Sequence, residues 1–370
     1  MKILHYLPDI DKSSGGVLRY VQVLMKTLGQ SIELHLLTCH TDDEMEVTGC
    51  NVHYLSVRYI PSWNTKREFM NILEVVNPDI FHTNSCWIPT SAYTAIWAKE
   101  FGCKVVYTPH GMLEPWILNR HYWLKKLPAL LLYQRRAIRK ADLLHATSDG
   151  EMHNLLSLGY NDNVCIIPNP IDTKVITLKR NWHRTNHILY LGRVHEKKGI
   201  RNLLDVVSEQ RQLLKGYVVD IVGDSDIEQS YLKAELMQHV KQLNIDDIVK
   251  FHDGVYGADE WDFFHNADVF VLPTYSENFG IVVAEALACG VPVITTQGTP
   301  WKELETHNCG WWIEIGTEPL KVALLDFMKK SEAELEQMGR NGRKLVEEKY
   351  SSERIAKQFL DMYKKLADKN

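Results

Sequence analysis

Two carboxylates with seven residues between them, Glu277 and Glu285, stand in the stretch Leu272-Pro-Thr-Tyr-Ser-Glu-Asn-Phe-Gly-Ile-Val-Val-Ala-Glu-Ala-Leu-Ala-Cys-Gly-Val-Pro-Val-Ile294. The order of residue types predicts a strand, a polar loop, a helix opened by Gly280 and a stop at Gly290-Val-Pro292 before the next strand. Free N–H groups at such a helix start attract anions, phosphate above all, with a dipole contribution of roughly 0.3–2 kcal/mol. Glu277 precedes the helix and Glu285 lies deeper in it, so the pair can hold hydroxyl groups at two separate points. The plainer reading makes Glu277 a helix cap and Glu285 a solvated helix residue. The apolar surroundings of Glu285 (Ala284, Ala286, Leu287, Ala288) count against it.

Three more segments put reactive residue types at the ends of predicted strands. Tyr190-Leu-Gly-Arg-Val-His-Glu-Lys-Lys-Gly199 offers Arg193 and Lys198. Arg matches phosphate oxygens as a fork and Lys as a compact charge. Lys12-Ser-Ser-Gly-Gly-Val-Leu-Arg19 carries Gly15 and Gly16 at a strand-to-helix turn, where the lack of a Cβ lets backbone approach a ligand. It is not the G-x-G-x-x-G dinucleotide fingerprint, which speaks against a nicotinamide enzyme. Val106-Tyr-Thr-Pro-His-Gly-Met-Leu-Glu-Pro-Trp116 ends a strand at His110, followed by the chain-breaking Gly111. Taken singly, each of these is also an ordinary surface pair, tight turn or structural histidine.

The elements that must position these residues form two series. Short apolar runs rich in β-branched residues alternate with helix-period segments at 2–7, 32–38, 52–57, 79–83, 104–108, 143–147 and 164–168, and the alternation restarts at 187–191, 217–222, 248–251, 269–272, 292–295 and 311–315. Near-continuous apolar strands separated by helices predict parallel sheets covered on both faces. The fold class is therefore α/β, with two doubly wound Rossmann-like domains in tandem. The expected boundaries are a first domain at 1–172, a hinge at 173–186 with no strong apolar period, and a second domain at 187–351. The final stretch, 352–366, repeats Ile355, Phe359, Met362, Tyr363 and Leu366 at helical spacing and must dock on something.

A formal net charge of −5 over 370 residues gives no general electrostatic reason to bind nucleic acid. The chain's first residues lack the basic start and apolar core of a signal peptide, and no run of about 18 apolar residues occurs, so a spanning helix is not expected. Seven cysteines, scattered and never spaced Cys-x-x-Cys, predict thiols that are reduced and for the most part buried in a cytoplasmic protein. One stretch segregates charge: seven Lys or Arg and no Asp or Glu lie at 115–141, interleaved with Trp116, Tyr122, Trp123 and leucines. Basic residues with aromatics on a helical period predict a peripheral contact with an anionic membrane surface, against the alternative of a core helix with a solvated basic face.

Taken together, the segments resemble the family-4 retaining glycosyltransferases of the GT-B fold. Glu277, Glu285 and the following Ala288-Cys-Gly-Val-Pro292 match that superfamily's Glu-(seven)-Glu motif, Arg193 to Gly199 its Gly-Arg-…-Lys-Gly segment, Gly15-Gly16-Val-Leu-Arg19 its Gly-Gly-x-x-Arg turn, and Thr108-Pro-His-Gly111 its Thr-Pro-His-Gly segment. The resemblance implies two domains facing a central cleft, with the last helix (352–370) crossing back to the first. It implies that Glu285 binds ribose hydroxyls and Glu277 approaches the donor sugar, while Asn278, Phe279, Gly280 and Ile281 offer N–H groups to sugar and diphosphate. Arg193 and Lys198 would clamp the diphosphate, Gly15 and Gly16 face it across the cleft, and His110 touch the donor sugar near the reacting centre. Where many members read Pro-Asn-Gly-Val-Asp, this chain has Pro168-Asn-Pro-Ile-Asp172, which predicts a stiffer hinge.

The expected activity is retaining transfer of a hexosyl unit from a nucleotide diphosphate sugar to a glycan or lipid-linked glycan acceptor in cell-surface polysaccharide synthesis. No cofactor and no metal are expected: Asp224-Ser-Asp226 has ligand spacing but reads as a helix cap. Front-side attack by the acceptor is what the family implies for retention. The expected location is the cytoplasm, peripherally on the inner face of the membrane. The competing readings are a sugar-nucleotide epimerase of the same fold and a non-enzymatic two-lobe sugar-binding protein.

Overall fold

The computed structural model describes residues 1–119, 122–225 and 229–368, with the side chains of Ser13, Trp116, Asn119 and Tyr122 excepted. Of the residues named or counted above, Asp226, the side chains of Trp116 and Tyr122, and Arg120, one of the seven basic residues at 115–141, lie outside the described residues. The chain divides into two compact units, one of residues 1–170 with 352–370 and one of residues 171–351.

The first unit is built on seven parallel strands: β1 (Lys2–Tyr6), β2 (Glu33–Cys39), β3 (Asn51–Leu55), β4 (Ile80–Thr83), β5 (Lys104–Tyr107), β6 (Leu143–Ala146) and β7 (Val164–Ile166), in the order β3-β2-β1-β4-β5-β6-β7. The second has six, β8 (His187–Leu191), β9 (Val218–Val222), β10 (Val249–His252), β11 (Val269–Leu272), β12 (Val293–Thr296) and β13 (Gly310–Ile313), in the order β10-β9-β8-β11-β12-β13. Central strands such as β11, Val-Phe-Val-Leu, are buried along their whole length, as a sheet covered by helices on both faces requires. In each unit the strand order reverses once, between β1 and β4 and between β8 and β11. Such a switch point is where the loops at the carboxyl ends of two neighbouring strands part and leave a crevice.

Helix Ser352–Ala367 belongs to the first unit. It buries Ile355, Ala356, Phe359, Met362, Tyr363 and Leu366 and packs against helix Gly15–Leu28. The stretch 173–186, expected as a hinge, is instead packed into the second unit. The buried Lys179 donates from Nζ to the Ala267 carbonyl at 2.8 Å, and the buried Trp182 indole N–H to the Gly290 carbonyl at 2.8 Å. Arg343 in turn donates to the carbonyls of Ile176 (2.6 Å) and Thr173 (2.7 Å). These anchors are single side chains, each satisfied one by one, so they leave no periodic trace in the sequence.

The described residues 115–119 and 122–140 form short helical pieces, including single π turns at Tyr122–Lys126 and Leu130–Gln134. One side of them buries Ala129, Leu130, Ala137 and Ile138, while Trp123, Leu124, Leu131 and Leu132 are each at least two-thirds exposed. All seven cysteines are free thiols. Among the described residues, no helix is long and apolar enough to cross a membrane.

Candidate functional site

In the second unit the loops after β8 and β11 are laced together. The Thr274 hydroxyl (2.9 Å) and the Tyr275 N–H (2.7 Å) both donate to the Lys197 carbonyl. Gly199, in the left-handed region at φ 66°, abuts Pro273 so closely that a Cβ would lie 2.1 Å from its carbonyl oxygen. Only glycine fits there. Before it, the Lys197 N–H donates to His195 Nδ1 at 3.0 Å, which closes the turn Glu196–Lys198. The Tyr190 hydroxyl donates to the Arg193 carbonyl at 2.9 Å and holds that backbone.

This scaffold brings Lys198 Nζ and Glu277 Oε1 into an ion pair across 79 residues of sequence, both side chains close to nine-tenths buried. Burial pushes the Lys198 ammonium below its ordinary range in spite of Glu277. Burial also works against ionised Glu277, but Lys198, Lys197 and Arg193 together outweigh it and hold the carboxyl below its usual range. The sequence singles out Lys198 over its neighbour Lys197 by its place just before Gly199. The structure gives Lys198 the ion pair and uses the Lys197 backbone to join the loops.

Beyond Glu277, whose N–H donates to the Gly298 carbonyl at 2.7 Å, the chain reaches Gly280 at φ 77° and enters helix Ile281–Ala288. Phe279 is buried against Trp301 and Tyr350, and the Trp301 indole N–H donates to the Phe279 carbonyl at 2.6 Å. These contacts fix the backbone of residues 278–281 at the helix start. Glu285 is 2% exposed, so it is not the solvated helix residue of the plainer reading. A carboxylate so buried needs hydrogen-bond partners.

In the first unit, Gly15 takes φ 58° at the start of helix Gly15–Leu28, and a Cβ there would meet nothing within 4 Å. Gly16 follows as a helical residue, so Gly15 alone needs the glycine conformation. Beside this turn, buried Asp9 pairs with Arg58 and accepts from the Ser14 hydroxyl. His110 follows β5 in a left-handed conformation, φ 51°, which a bulky residue adopts only when held. Two residues hold it. The next N–H, of Gly111, donates to buried Glu151, which also accepts from the Thr147 N–H (2.8 Å) and hydroxyl (3.0 Å). The ring meets Asn84 Oδ1 through Nε2 at 3.4 Å and lies edge-on to Tyr20 at 4.8 Å. Burial, with His145 and His5 nearby, lowers the His110 pKa to about 3, so the ring is neutral at physiological pH.

Thus Lys198, Glu277, Arg193 and the Gly280 turn lie in the loops after β8 and β11 of the second unit, with Glu285 inside the helix that follows, while in the first unit Gly15 and Gly16 follow β1 and His110 follows β5. Sequence reasoning missed Asn84 and Glu151. Asn84 had a faint signal, a polar residue directly after a strand at the switch point. Glu151 had none beyond its place four residues after Thr147.

Two doubly wound units of this topology are those of the GT-B fold. Residues 174–345 match the family of glycosyl transferases group 1 and residues 14–175 match glycosyltransferase family 4, so the chain belongs to this glycosyltransferase family. It is similar to the capsular polysaccharide biosynthesis glycosyltransferase CapM of Staphylococcus aureus, 32% identical over 50% of this chain and 49% of that one. The match therefore spans about half the length of that relative. It is also similar to the N-acetylgalactosamine-N,N'-diacetylbacillosaminyl-diphospho-undecaprenol 4-alpha-N-acetylgalactosaminyltransferase of Campylobacter jejuni, 25% identical over 76% of this chain and 78% of that one. Among solved structures, sucrose-phosphate synthase of Thermosynechococcus elongatus shares the fold with a TM-score of 0.83, 22% identity and 99% of both chains covered. HepE of Anabaena, in complex with UDP-glucose, does so with a TM-score of 0.78, 18% identity, and 99% of this chain and 100% of that one covered.

Proposed function

We propose that the protein moves a hexosyl unit from a nucleotide diphosphate sugar to a glycan or lipid-linked glycan acceptor, retaining the anomeric configuration and using no metal, in the synthesis of a cell-surface polysaccharide. The observation that carries this reading is the convergence of Arg193, Lys197 and Lys198 on Glu277 beside the Gly280 helix start. Preorganised positive charge and N–H groups are what a departing diphosphate needs, because they act where charge develops in the transition state. CapM and the Campylobacter enzyme, by their names, work on capsular polysaccharide and on an undecaprenol-linked glycan, and the HepE structure holds UDP-glucose.

In this reading Glu285 accepts the ribose hydroxyls, and the N–H groups of residues 278–281 face sugar and diphosphate. Gly15 and Gly16 approach the diphosphate, and His110 and Glu277 serve the sugar. As the bond between the anomeric carbon and the phosphate oxygen breaks, its electron pair leaves with the diphosphate and is stabilised by Arg193 and Lys198. The acceptor hydroxyl adds from the same face and gives its proton to the departing oxygen, so configuration is retained without a protein nucleophile. Asp224 already accepts the Gly254 N–H at 3.0 Å, in keeping with a structural role.

The test is a panel of UDP, GDP and ADP sugars. The expected result is slow release of one nucleoside diphosphate, undiminished by excess EDTA, and a product whose anomeric configuration by NMR is that of the donor. A donor at 100 times its Kd adds about 2.7 kcal/mol of stability, so thermal shift identifies the base first. Binding without release leaves the sugar-binding protein, and interconversion of the sugar without transfer leaves the epimerase.

The same reading places the enzyme on an anionic inner leaflet through residues 115–141. Trp123, Leu124, Leu131 and Leu132 supply exposed apolar surface, and Lys125, Arg135 and Arg139 are exposed cations beside it. Arg136 and Lys140 are drawn to Glu100, and Lys126 stacks on Trp87, so fewer than seven charges are at the membrane's disposal. Each contributes about 1 kcal/mol near such a surface. Wild type should sediment with phosphatidylglycerol vesicles at low salt, and a variant with Trp123, Leu124, Leu131 and Leu132 changed to Ser should not. A wild type that stays in the supernatant ends the membrane reading.

A further inference from the structure

Behind His110 the first unit buries a continuous row of polar side chains. It starts at the Ile167 carbonyl, which can only accept, 2.8 Å from His145 Nε2. His145 must therefore carry its proton on Nε2. Burial holds this ring neutral, with its pKa lowered to about 4, so Nδ1 is a lone pair and takes the Thr108 hydroxyl proton at 2.9 Å. With that proton committed, the Thr108 oxygen accepts from His82 Nε2 at 2.6 Å. Burial keeps His82 neutral as well, so its Nδ1 accepts from the Tyr363 hydroxyl at 2.6 Å. The Tyr363 oxygen must then accept from His5 Nε2, 3.0 Å away.

The other end is fixed independently. One amide atom of Asn84 lies 3.3 Å from the Tyr6 carbonyl and 3.4 Å from the His82 carbonyl, which identifies it as the nitrogen. It donates to His5 Nδ1 at 3.2 Å, and His5, with its pKa lowered to about 3 by burial and by His145, is left with its proton on Nε2. That is the tautomer the first end requires. No bond in the row is frustrated. Asn84 Oδ1 is then the acceptor for His110 Nε2.

We infer that one proton order runs from the Ile167 carbonyl through His145, Thr108, His82, Tyr363, His5 and Asn84 to His110, and that it fixes His110 as the Nε2–H tautomer with a lone pair on Nδ1. Asn84 is thereby a positioning residue, and Tyr363 makes the C-terminal helix part of the same device. A ring that has committed its only proton to Asn84 can recognise a ligand only by accepting. His110 therefore takes up a group that donates, a sugar hydroxyl and not an ionised phosphate oxygen. This last step rests on the reading of His110 as a contact to the donor sugar, whereas the proton order does not.

The order is read without ligand, by long-range ¹H–¹⁵N correlation on the full-length protein with ¹⁵N-labelled histidine at neutral pH. His5, His82, His110 and His145 should each show a protonated Nε2 and an unprotonated Nδ1. Any one of the four as the Nδ1–H tautomer, or doubly protonated, overturns the inference. Asn84→Asp supplies a second reading, since a carboxylate there accepts from both neighbours. His5 should then be protonated on both nitrogens while His82 and His145 keep theirs on Nε2 alone, and an unchanged His5 contradicts the order. A merely structural role for Asn84 moves none of these signals. Failure of the sugar contact alone appears differently, as wild-type donor kinetics in His110→Ala with the wild-type tautomers intact.

Discussion

The two units meet the same demand, a fixed polar group at the switch point of a parallel sheet, by opposite electrostatics. In the second, Lys198 and Glu277 are ionised, buried and paired, with Lys197 and Arg193 adding to the field on the carboxylate. In the first, the buried His5, His82 and His145 and the half-buried His110 are uncharged and joined by hydrogen bonds through Thr108, Tyr363 and Asn84. A charged pair suits a step in which charge develops, because it stabilises the leaving group without reorganising. A neutral network suits recognition, because it fixes which nitrogen donates and which accepts without adding a field. The difference teaches that burial alone does not assign a role: both sets of side chains are buried, and only one carries charge.

Acid should break the comparison with the largest effect. The folded-state pKa values of His5, His110 and His145, about 3, 3 and 4, and that of His82 lie below the unfolded value near 6.5, so the unfolded chain binds more protons. The stabilising contribution is complete above pH of about 6.5 and is lost as pH falls toward the folded values, by about 1.4 kcal/mol per pH unit for each histidine. The Glu277 carboxyl, held below its usual range, keeps the charge pair of the second unit to lower pH. Hydrogen exchange by mass spectrometry, corrected for its own pH dependence, should show β1, β4, β5 and β6 losing protection between pH 7 and 4.5 while β8 and β11 keep theirs. Simultaneous loss in both units contradicts the contrast.

Next in size is Arg193→Ala. Loss of one preorganised group that stabilises the departing diphosphate should lower kcat on the order of 10²–10³, about 2.7–4 kcal/mol, with the fold unchanged by circular dichroism. Smaller still is Glu285→Gln, which should weaken nucleotide binding by roughly 1.5–3 kcal/mol through loss of charge-assisted hydrogen bonds, with little change in kcat. Titration calorimetry with the nucleoside diphosphate separates the two. A Glu285→Gln enzyme impaired in kcat alone would reverse the proposed division between Glu285 and Glu277.

How much of this is legible in the chain depends on whether the signal is periodic. Among the described residues, the thirteen strands fall on apolar runs read directly from the sequence, most plainly central ones such as β11, because a strand buried on both faces must be apolar throughout. The Glu277–Glu285 spacing, the Gly280 turn and the packing face of the last helix are legible for the same reason, since each is local. The proton row is not. His5, His82 and His145 sit on three different strands and each alone reads as an ordinary core histidine. Only the parallel register that sets His5 opposite His82 brings them together, and Tyr363 joins from the far end of the chain. The Lys198–Glu277 pair is likewise a product of two loops laced by backbone hydrogen bonds. The anchoring of the stretch 173–186 is not legible either, because the side chains that hold it, Lys179 and Trp182 among them, follow no period.

The central claim is that the buried charge of the second unit acts on the departing diphosphate and not merely on the fold. Single-turnover transfer by wild type and Lys198→Ala, with the Kd for the nucleoside diphosphate measured on the same samples, tests it most directly. The account predicts a chemical step slowed on the order of 10²–10³ while that Kd changes far less, because the charge matters more in the transition state than in the ground state. A variant that keeps more than about a third of the wild-type rate, or one whose whole defect is a weaker Kd, contradicts it.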